Sequence, residues 1–548
     1  MLNQQPLNMN MKNFNVFCLL LLTLPSVLFG KNNPEKRRPN IVFIMSDDHA
    51  YQAISAYSDK LIKTPNIDRI AKNGIKFTQA CVTNSICAPS RATILTGKHS
   101  HLNSKTDNYF PFDTTILTFP QLFQESGYQT AMFGKLHFGN NPKGFDQFKI
   151  LPGQGNYYNP NFITKNEGNI QVNGYVTDVI TDMTLDWLEK ERNPEKPFLL
   201  MYLHKAPHRE WLPAERHLKS FAGKVYPEPS TLFDNYEGRT SAAKAAEMNL
   251  LTHMNWAGDS KIYPEMMDKL GIKSTTDGDK EGFTKEYRRM NALQKANWDG
   301  VYQLVNEQFE KKFKAGMTEK ELMQWRFQRY MQDYLGTIAS VDENVGRVLD
   351  YLEANNLTEN TLIVYTSDQG FYLGEHGWYD KRFVYDESFK TPLLMQWKGH
   401  IKPGRVSDDM VQNLDFAQTF LDAAGIKAPS DMQGESMVPL LEGKINGWKR
   451  ESVYYHYYEF PSVHMVKRHY AIVTKAYKLI HFYHDVNEWE LIDRQNDPQE
   501  LKNEYNNPKY ADVVEKLKKE LVAIRQKYGD SEEISKNIQD RYLKAIKK

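Results

Sequence analysis

The chain has 548 residues, of which 41% are hydrophobic and 25% are charged, and its formal net charge is +1. These values are typical of a globular protein with two or more core-bearing units. The near-neutral balance argues against nucleic acid and anionic membrane surfaces as bulk partners. Aromatic residues make up 12% of the chain, which fits either a sugar-binding protein or a large tyrosine-rich core.

The N-terminus predicts an export signal. Lys12 precedes an apolar run over 16–30, which is broken by Pro25 and followed by a polar, charged stretch over 31–40. Because a membrane-spanning helix needs about 20 apolar residues, we interpret residues 1–30 as a cleaved signal peptide. We therefore expect a periplasmic or secreted protein without a membrane anchor.

Three apolar runs of strand length end in polar residues. They are Ile41–Met45, Phe198–Leu203 and Leu362–Tyr365. Continuous apolar runs of this kind predict strands covered on both faces, as in a parallel sheet. In open α/β sheets, ligands bind at the carboxyl ends of the strands. The polar residues at these ends are Asp47, Asp48, His204, His208, Asp368 and Gln369.

Helical patterns alternate with the strands. Residues 176–190 carry apolar side chains at helical spacing, and a capping box of Thr318 and Glu321 opens a long helical segment. This alternation predicts an α/β fold with a large mixed, mostly parallel sheet flanked by helices. Residues 209–317 are polar and irregular, and we expect long insertions and surface helices there.

The pattern changes near residue 445. Short segments with alternating aromatic residues follow, and a charged helical pattern covers 510–529. These segments predict a smaller α+β subdomain with an antiparallel sheet. We therefore divide the mature chain into a larger domain over 38–445 and a C-terminal subdomain over 446–548.

Four oxygen-bearing side chains follow the first and last of the three strands. Asp47, Asp48, Asp368 and Gln369 are the ligand types that Ca²⁺, or Mg²⁺ in a tighter site, prefers. A helix cap with a surface charge is the alternative for either acidic pair taken alone. Two acidic strand ends in one domain favour a metal site.

Two cysteines, Cys81 and Cys87, remain after signal cleavage. A disulfide between them is one interpretation, since exported proteins usually pair their cysteines. The other interpretation, that Cys87 is placed as a nucleophile, rests on the turn and helix that follow it. The N-terminus of that helix and the guanidinium of Arg91 both attract anions. Residue 87 would then lie between a cation site and an anion site, where a nucleophile is placed.

The segment 87–97 contains C-x-P-S-R followed by four residues and T-G, which resembles the signature of the type I sulfatases of the alkaline phosphatase superfamily. "GKLH" over 134–137, "APH" over 206–208 and "SDQG" over 367–370 resemble further motifs of that family. Residues 373–394 resemble the lysine segment of bacterial carbohydrate sulfatases. Two positions differ from the usual pattern: Leu136 replaces Trp, and Gln369 stands where Asn or His is commoner.

The resemblance implies a modified residue and a metal ion. In this family the cysteine, here Cys87, is oxidised to formylglycine (3-oxoalanine) by a formylglycine-generating enzyme. One Ca²⁺ would be held by the modified residue 87 together with Asp47, Asp48, Asp368 and Gln369. The aldehyde hydrate would attack the sulfate sulfur, and its second hydroxyl would then expel sulfate. A plain cysteine or serine lacks that second hydroxyl, so its sulfate ester would need water for cleavage.

The resemblance also implies roles for five further side chains. Arg91 and Lys135 would hold and polarise the hydrate, and His137 would be the base in the second step. His208 and Lys381 would contact the sulfate and the leaving oxygen, with His208 as the general acid. An unrelated protein would carry such lysines on its surface and such histidines in its core.

The expected activity is hydrolysis of sulfate esters on a sulfated oligo- or polysaccharide. The resemblance extends to N-acetylglucosamine-6-sulfatases and to ulvan sulfatases, and the Lys-, Asn- and Ile-rich composition slightly favours an algal substrate such as ulvan over glycosaminoglycan or mucin. Candidate sugar contacts, with subdomain packing as the alternative role, are Glu375, His376, Arg382, His464 and the aromatic cluster 454–458. Other possible functions are a phosphodiesterase or phosphonate hydrolase of the same superfamily and a non-catalytic sugar-binding protein.

Overall fold

One large sheet with helices on both faces organises the described part of the chain. A computed structural model describes residues 38–444 and 448–547. The predicted signal peptide, 1–30, and the predicted boundary at 445/446 lie outside the described residues. No helix in the two described ranges combines the length and the hydrophobicity that a membrane crossing requires.

The strands alternate along the chain with single helices and small helical groups. The strands are β1 (Asn40–Ser46), β2 (Ile75–Phe77), β3 (Ala80–Cys81), β4 (Gln129–Lys135), β5 (Gln147–Leu151), β6 (Asn161–Thr164), β7 (Gly168–Gln171), β8 (Phe198–Leu203), β9 (Thr361–Ser367), β10 (Leu393–Trp397), β11 (Arg405–Ser407), β12 (Val411–Gln412), β13 (Ser452–Tyr457), β14 (His469–Thr474), β15 (Tyr477–Phe482) and β16 (Glu488–Asp493). The helices are α1 (Pro65–Lys72), α2 (Cys87–Thr96), α3 (Ser100–Asn103), α4 (Phe119–Glu125), α5 (Val176–Asp186), α6 (Glu215–Phe221), α7 (Ser241–Ala245), α8 (Pro264–Leu270), α9 (Asp279–Arg289), α10 (Ala292–Lys314), α11 (Glu319–Ala354), α12 (Asp386–Phe389), α13 (Phe416–Ala423), α14 (Val438–Leu441), α15 (Ala511–Lys527) and α16 (Glu532–Ile546).

The large sheet has the strand order β11-β2-β10-β9-β1-β8-β4-β5-β6-β7. Its central strands β9, β1, β8, β4 and β5 are parallel. Antiparallel pairs join β10 to β9 and to β2 on one side, and β5 to β6 and β6 to β7 on the other. The predicted mixed, mostly parallel sheet is therefore confirmed.

The three predicted strands lie side by side at the centre of this sheet and are buried on both faces. β1, β8 and β9 are buried along their whole length. Alternate side chains enter different hydrophobic cores: Val42 and Ile44 pack in one, and Ile41 and Phe43 pack in the other. A central strand covered by helices on both faces has no polar face, which explains the continuous apolar runs.

The predicted helices also form. The apolar pattern over 176–190 becomes α5 and a short π-helical turn over 187–191. α11 begins after Thr318, whose side chain accepts a hydrogen bond from the Glu321 amide to form the capping box. α11 contacts α5, α6 and α1 along the face of the sheet.

Residues 209–317 were expected to form surface helices, but they also contribute side chains to the hydrophobic core. They contain α6 to α10. Trp298, Tyr302 and Phe309 of α10 are fully or almost fully buried in the same hydrophobic core as the central strands. The expectation missed this because only one stripe of α10 is apolar, and the rest of the helix is polar and exposed to solvent.

The C-terminal region forms the predicted antiparallel sheet. Its strand order is β13-β14-β15-β16, and α15 packs against it. Apolar residues from this sheet and α15 form a core of their own, which includes Ile472, Leu491 and Leu521. The described residues from 38 onward cluster as one compact unit, so a boundary at 445/446 stays a prediction.

Gly134 supplies a test of how tightly the central strands pair. Its φ is +108°, and a Cβ added there would lie 1.8 Å from the Leu203 carbonyl oxygen on β8. We expect Gly134→Ala to lower the free energy of unfolding by more than about 2 kcal/mol, because strain and a backbone clash combine. Denaturant unfolding of the purified protein measures this change.

Gly271→Ala is the matched control, since Gly271 has φ +67° and no atom within 4 Å of the added Cβ. It should cost only the backbone strain, about 1 kcal/mol. Equal losses in the two variants would contradict the steric argument.

Candidate active site

Adjacent strand ends bring three carboxylates together. β1 and β9 pair in parallel with Ser46 opposite Ser367, so Asp47 and Asp48 leave the sheet beside Asp368. Oxygen atoms of the three aspartates lie within 4.8 Å of one another, and all three residues are fully buried. The carboxyl ends of neighbouring parallel strands thus form one acidic cluster.

Gln369 and the backbone of Asp48 complete this cluster. Asp48 has φ +66°, and its amide donates a hydrogen bond of 3.1 Å to Asp368 Oδ1. Gln369 Nε2 lies 2.5 Å from Asp48 Oδ1 and 3.7 Å from Cys87 Sγ. Gln369 Oε1 is buried and has no hydrogen-bond partner among the described residues.

Helix α2 carries Cys87 to the cluster. The helix begins at Cys87, whose Sγ lies 3.2 Å from Asp47 Oδ1. Ser90 Oγ donates to the Asp368 carbonyl and accepts a hydrogen bond of 2.8 Å from Asn413. These bonds hold the first turn of α2 against the end of β9.

Both described cysteines are free thiols. Cys81 is buried, and its Sγ donates to the Val411 carbonyl at 3.3 Å. The interpretation of Cys81 and Cys87 as a disulfide is therefore wrong. Burial and the neighbouring Asp47 charge raise the pKa of the Cys87 thiol well above its ordinary value. Unmodified Cys87 is thus a neutral thiol and a poor nucleophile.

Arg91 and two lysines surround the acidic cluster. Arg91 Nε lies 2.9 Å from Asp368 Oδ2, and its Nη1 donates to the Lys135 carbonyl. Lys135 Nζ is bonded to Asp47 Oδ2, and Lys381 Nζ lies 2.7 Å from Asp48 Oδ2. Every carboxylate of the cluster therefore has at least one cationic partner, and Asp47 has a second in Arg91 Nη2 at 3.8 Å.

These cations do not offset the effect of burial equally on the pKa values of the three carboxylates. Burial raises the pKa of Asp47, but the charge of Lys135 and its other neighbours outweighs this and holds that pKa well below its ordinary value. Burial raises the pKa of Asp48 to about 6 despite Lys381. Burial and repulsion from Asp47 raise the pKa of Asp368 to about 7. The anionic forms of Asp48 and Asp368 are therefore only partly stabilised, and a bound cation would stabilise them further.

The donor set fits a hard divalent cation. Three buried carboxylates and one amide offer oxygen ligands only, which Ca²⁺ and Mg²⁺ prefer over soft metals. A half-turn of the Gln369 amide would exchange Nε2 for the buried, unpartnered Oε1 and so present an oxygen ligand to the cluster. Residue 87 reaches the same cluster at Asp47. The residues predicted from sequence to hold a metal are thus brought together.

Two histidines lie beside the cluster. His208 Nε2 is 3.8 Å from Asp48 Oδ2, while its Nδ1 lies 2.6 Å from the Arg209 carbonyl. Because a carbonyl only accepts hydrogen bonds, the proton stays on Nδ1, and Nε2 faces the cluster. His137 has φ +66°, and its Nδ1 has no partner among the described residues. Burial and the charge of Lys135 lower the pKa of both imidazoles.

The segment around Lys381 forms a charged network. Asp380 lies 3.0 Å from Arg382 Nε and 3.4 Å from His464 Nε2. Arg382 Nη1 lies 2.9 Å from Glu459 Oε1. Arg382 and His464 are each 6% exposed. Two candidate sugar contacts are therefore held together beside Lys381 by a shared carboxylate.

Other candidate sugar contacts are engaged in packing. His376 is fully buried, and its Nδ1 lies 3.0 Å from Asp234 Oδ2. Glu375 accepts a hydrogen bond of 2.6 Å from the Leu373 amide. The side chains over 454–458 are at most 2% exposed and belong to the C-terminal sheet or its edge. Their contacts favour the packing role for this group.

Three participants were missed in the sequence. Gln154 accepts a hydrogen bond from Lys135, and Asp380 links Arg382 to His464. Glu459 also accepts from the Asn108 amide at 2.6 Å, and Asn108 Oδ1 accepts from the Ala88 amide in the first turn of α2. Asp380 could have been found from its place next to Lys381. Gln154 and Glu459 have no local signal, because the fold alone brings them to the site.

Two family models match this chain. The model described as "Sulfatase" matches residues 39–426. The model described as "N-sulphoglucosamine sulphohydrolase, C-terminal" matches residues 374–527. The first of these covers all the metal and catalytic residues expected from the motifs.

Whole-length relatives agree with these models. An N-acetylglucosamine-6-O-sulfatase of Bacteroides thetaiotaomicron is 45% identical over 522 residues, covering 94% of this chain and 91% of that protein. A solved structure in complex with its substrate D-glucosamine-2-N,6-O-disulfate superposes with a TM-score of 0.86 at 46% identity, covering 90% of this chain and 99% of the other. An ulvan-active sulfatase of Formosa agariphila is 25% identical over 543 residues, covering 92% and 83%.

The geometry and the comparisons agree on the class of enzyme. Members of the family generally use formylglycine and a divalent metal, and this chain places Cys87 against an oxygen-rich cluster suited to such an ion. The expectation of a non-catalytic sugar-binding protein is not supported. The chain belongs to the sulfatase family, and it is a sulfuric ester hydrolase acting on carbohydrate sulfate esters.

Proposed function

We propose that this enzyme removes the 6-O-sulfate of N-acetylglucosamine or N-sulfated glucosamine residues in a sulfated glycan. The observation that carries the proposal is the whole-length likeness to the N-acetylglucosamine-6-O-sulfatase. The expected preference for an algal substrate is not supported, since the ulvan-active relative is much less similar. Export to the periplasm or the medium, after modification by a formylglycine-generating enzyme, is part of the proposal.

The metal and the modified residue have distinct tasks. Asp47, Asp48, Asp368 and Gln369, with residue 87, would hold one Ca²⁺, which lowers the pKa of coordinated oxygen and neutralises developing charge. Formylglycine at position 87 supplies, as its hydrate, a nucleophilic hydroxyl and a second hydroxyl that releases sulfate without attack by water. Burial keeps the unmodified thiol protonated, which agrees with a need for modification.

The cations around residue 87 bind the sulfate group. Lys135 and Lys381 reach the cluster from two sides, and Arg91 approaches from helix α2. Their ammonium and guanidinium groups stabilise the charge that develops on the sulfate oxygens. In this buried site each contact is stronger than it would be in water.

The histidines move protons. The Arg209 carbonyl fixes the His208 Nδ1 proton, so Nε2 is free to carry a proton to the leaving alcohol oxygen. Burial lowers the pKa of His208, and a bound sulfate anion would raise it toward the range that an acid needs. His137 serves as the base for the second hydroxyl at residue 87.

Arg382 and His464 hold the sugar. Both side chains contact Asp380, which precedes the sulfate-binding Lys381 in the chain. Both also carry donor groups that suit sugar hydroxyls. Glu459 connects Arg382 through Asn108 to the first turn of α2. The sugar contacts and the nucleophile therefore share one rigid support.

The function is tested by sulfate release from purified enzyme. We expect the highest kcat/KM on N-acetylglucosamine-6-sulfate or glucosamine-2-N,6-O-disulfate, since these resemble the substrates of the similar proteins. Glucosamine 3-sulfate, ulvan fragments and a phosphate diester serve as competing substrates. Cys87→Ala should remove activity by at least about a thousandfold, and mass spectrometry should find an aldehyde at residue 87 of the native chain.

Two results would refute this function. One is higher activity on ulvan fragments or on the phosphate diester. The other is an unmodified thiol at residue 87 in fully active enzyme.

The metal site is tested by chelation. Because a cation would relieve repulsion among Asp47, Asp48 and Asp368, we expect Ca²⁺ to raise Tm by roughly 2–5 °C over chelator-treated protein. Metal analysis should find about one Ca²⁺ per chain. Asp368→Asn should weaken the shift, and an equal or larger shift with Mg²⁺ would contradict the assignment to calcium.

The sugar contacts are tested by substitution. We expect Arg382→Ala to lower kcat/KM on the 6-sulfated sugar at least about tenfold, because a buried charged donor is lost. Arg216→Ala is the matched control. Arg216 is exposed, and its ion-pair partners, Asp178 and Glu343, are distant in sequence from Arg382. An unchanged kcat/KM in folded Arg382→Ala would exclude this residue from sugar binding.

A further inference from the structure

A polar cavity opens beside His208, and Arg382 is not among the residues that line it. Its volume is about 400 Å³. Lys205 reaches it from the loop after β8, Gln154 and Tyr157 from the loop after β5, and Glu286 from α9 of the insertion. None of these four side chains belongs to a motif of the family, although His208 beside them does.

Lys205 is a buried cation without a partner. It is only 4% exposed, and its Nζ makes no hydrogen bond or ion pair with any residue of the described ranges. Its Nζ lies 4.7 Å from the centre of the Tyr157 ring. A charged group in such a place is costly unless a ligand pairs with it.

Glu286 presents the opposite charge to the same cavity. One of its oxygens accepts a hydrogen bond from Asn156, while Oε2 is buried and has no partner among the described residues. Lys205 and Glu286 do not form an ion pair, although both line the cavity. Lys205 Nζ and Glu286 Oε2 are thus held apart, and neither atom has a partner within the described ranges, which suits a ligand that bridges them.

The charges around the cavity are balanced. Arg209 is neutralised by Asp259 through contacts of 2.8 and 2.5 Å. The remaining groups are two lysines and two glutamates: Lys205, Lys285, Glu210 and Glu286. A second sulfated ring would meet both carboxylates, so the lining favours an uncharged ligand. Donors and acceptors of both kinds in one lining suit the hydroxyl groups of a sugar, each of which can donate and accept a hydrogen bond.

We propose that this cavity is a second saccharide subsite, which binds the uncharged sugar residue joined to the sulfated glucosamine. The inference rests on the proposed function, in which the sulfated ring lies beside Lys381 and Arg382. His208 lines the cavity and faces the acidic cluster with Nε2. A glycan chain that leaves the sulfate site past His208 therefore enters this cavity. Lys205 donates to its hydroxyl or acetamido oxygens, and Glu286 accepts from its hydroxyl or amide protons.

The experiment compares substrates of two lengths. The probes are the 6-sulfated N-acetylglucosamine monosaccharide and a disaccharide in which it is joined to one unsulfated, uncharged sugar. We expect the disaccharide to have a kcat/KM about tenfold higher, because hydrogen bonds to charged groups are among the stronger ones. In Lys205→Met and in Glu286→Gln, the ratio of the two kcat/KM values should fall toward one.

Lys219→Met is the matched control, since Lys219 is exposed on α6 and makes no ion pair within the described ranges. It should keep the wild-type ratio. A wild-type ratio near one, or a ratio that survives in both cavity variants, would overturn the proposal. A preference for a disaccharide whose second ring is sulfated would overturn the assignment to an uncharged sugar.

A separate measurement distinguishes this inference from the proposed function. Calorimetric binding of the unsulfated disaccharide to the Cys87→Ala protein does not depend on hydrolysis. Binding that weakens in Lys205→Met supports the subsite. If none of the 6-sulfated sugars is cleaved, the proposed function is refuted, but the subsite is not. Absence of such binding, together with cleavage of the monosaccharide, would refute the subsite alone.

Discussion

The parallel pairing of β1 with β9 is the constraint on which the active site depends. It places three carboxylates within a few ångströms in a buried region, where like charges repel strongly. Lys135, Lys381 and Arg91 reduce that repulsion, but burial still raises the pKa values of Asp48 and Asp368, so a bound cation would stabilise their anionic forms further. The same cations are the groups that a sulfate ester needs. In the proposed function, the cations that stabilise the cluster are therefore also the groups that bind the sulfate.

The site is supported from three regions that are distant in sequence. Helix α2 carries residue 87, and the segment around Lys381 carries the charged network of Asp380, Arg382 and His464. Glu459, from the C-terminal region, joins them by bonding both Arg382 and the Asn108 amide. The C-terminal sheet also shares a hydrophobic core with residues such as Trp378 and Phe383, so it packs in the same compact unit. The insertion over 209–317 contributes to the lining of the cavity beside His208.

Much of the fold was predictable because its signals are local. Continuous apolar runs predicted the three central strands, and the Thr318 capping box predicted the start of α11. The core role of α10 was not predictable, since its single apolar stripe lies in a polar segment. Among site residues, the motif-bearing ones were found, whereas Gln154 and Glu459 were missed. Their roles come from contacts across long sequence separations, which no spacing rule encodes.

The sequence by itself determined the class of enzyme, because the proposed nucleophile, metal ligands and proton donors lie in short motifs that mark the sulfatase family. It also determined the fold class, through the period and length of its apolar runs. Only the tertiary structure decided which candidates are free to act. It showed Cys81 and Cys87 as separate thiols, placed His376 and the 454–458 aromatics in packed cores, and left Lys205 without a partner beside His208. Partnership and burial depend on neighbours supplied by the whole fold, so local sequence does not specify them.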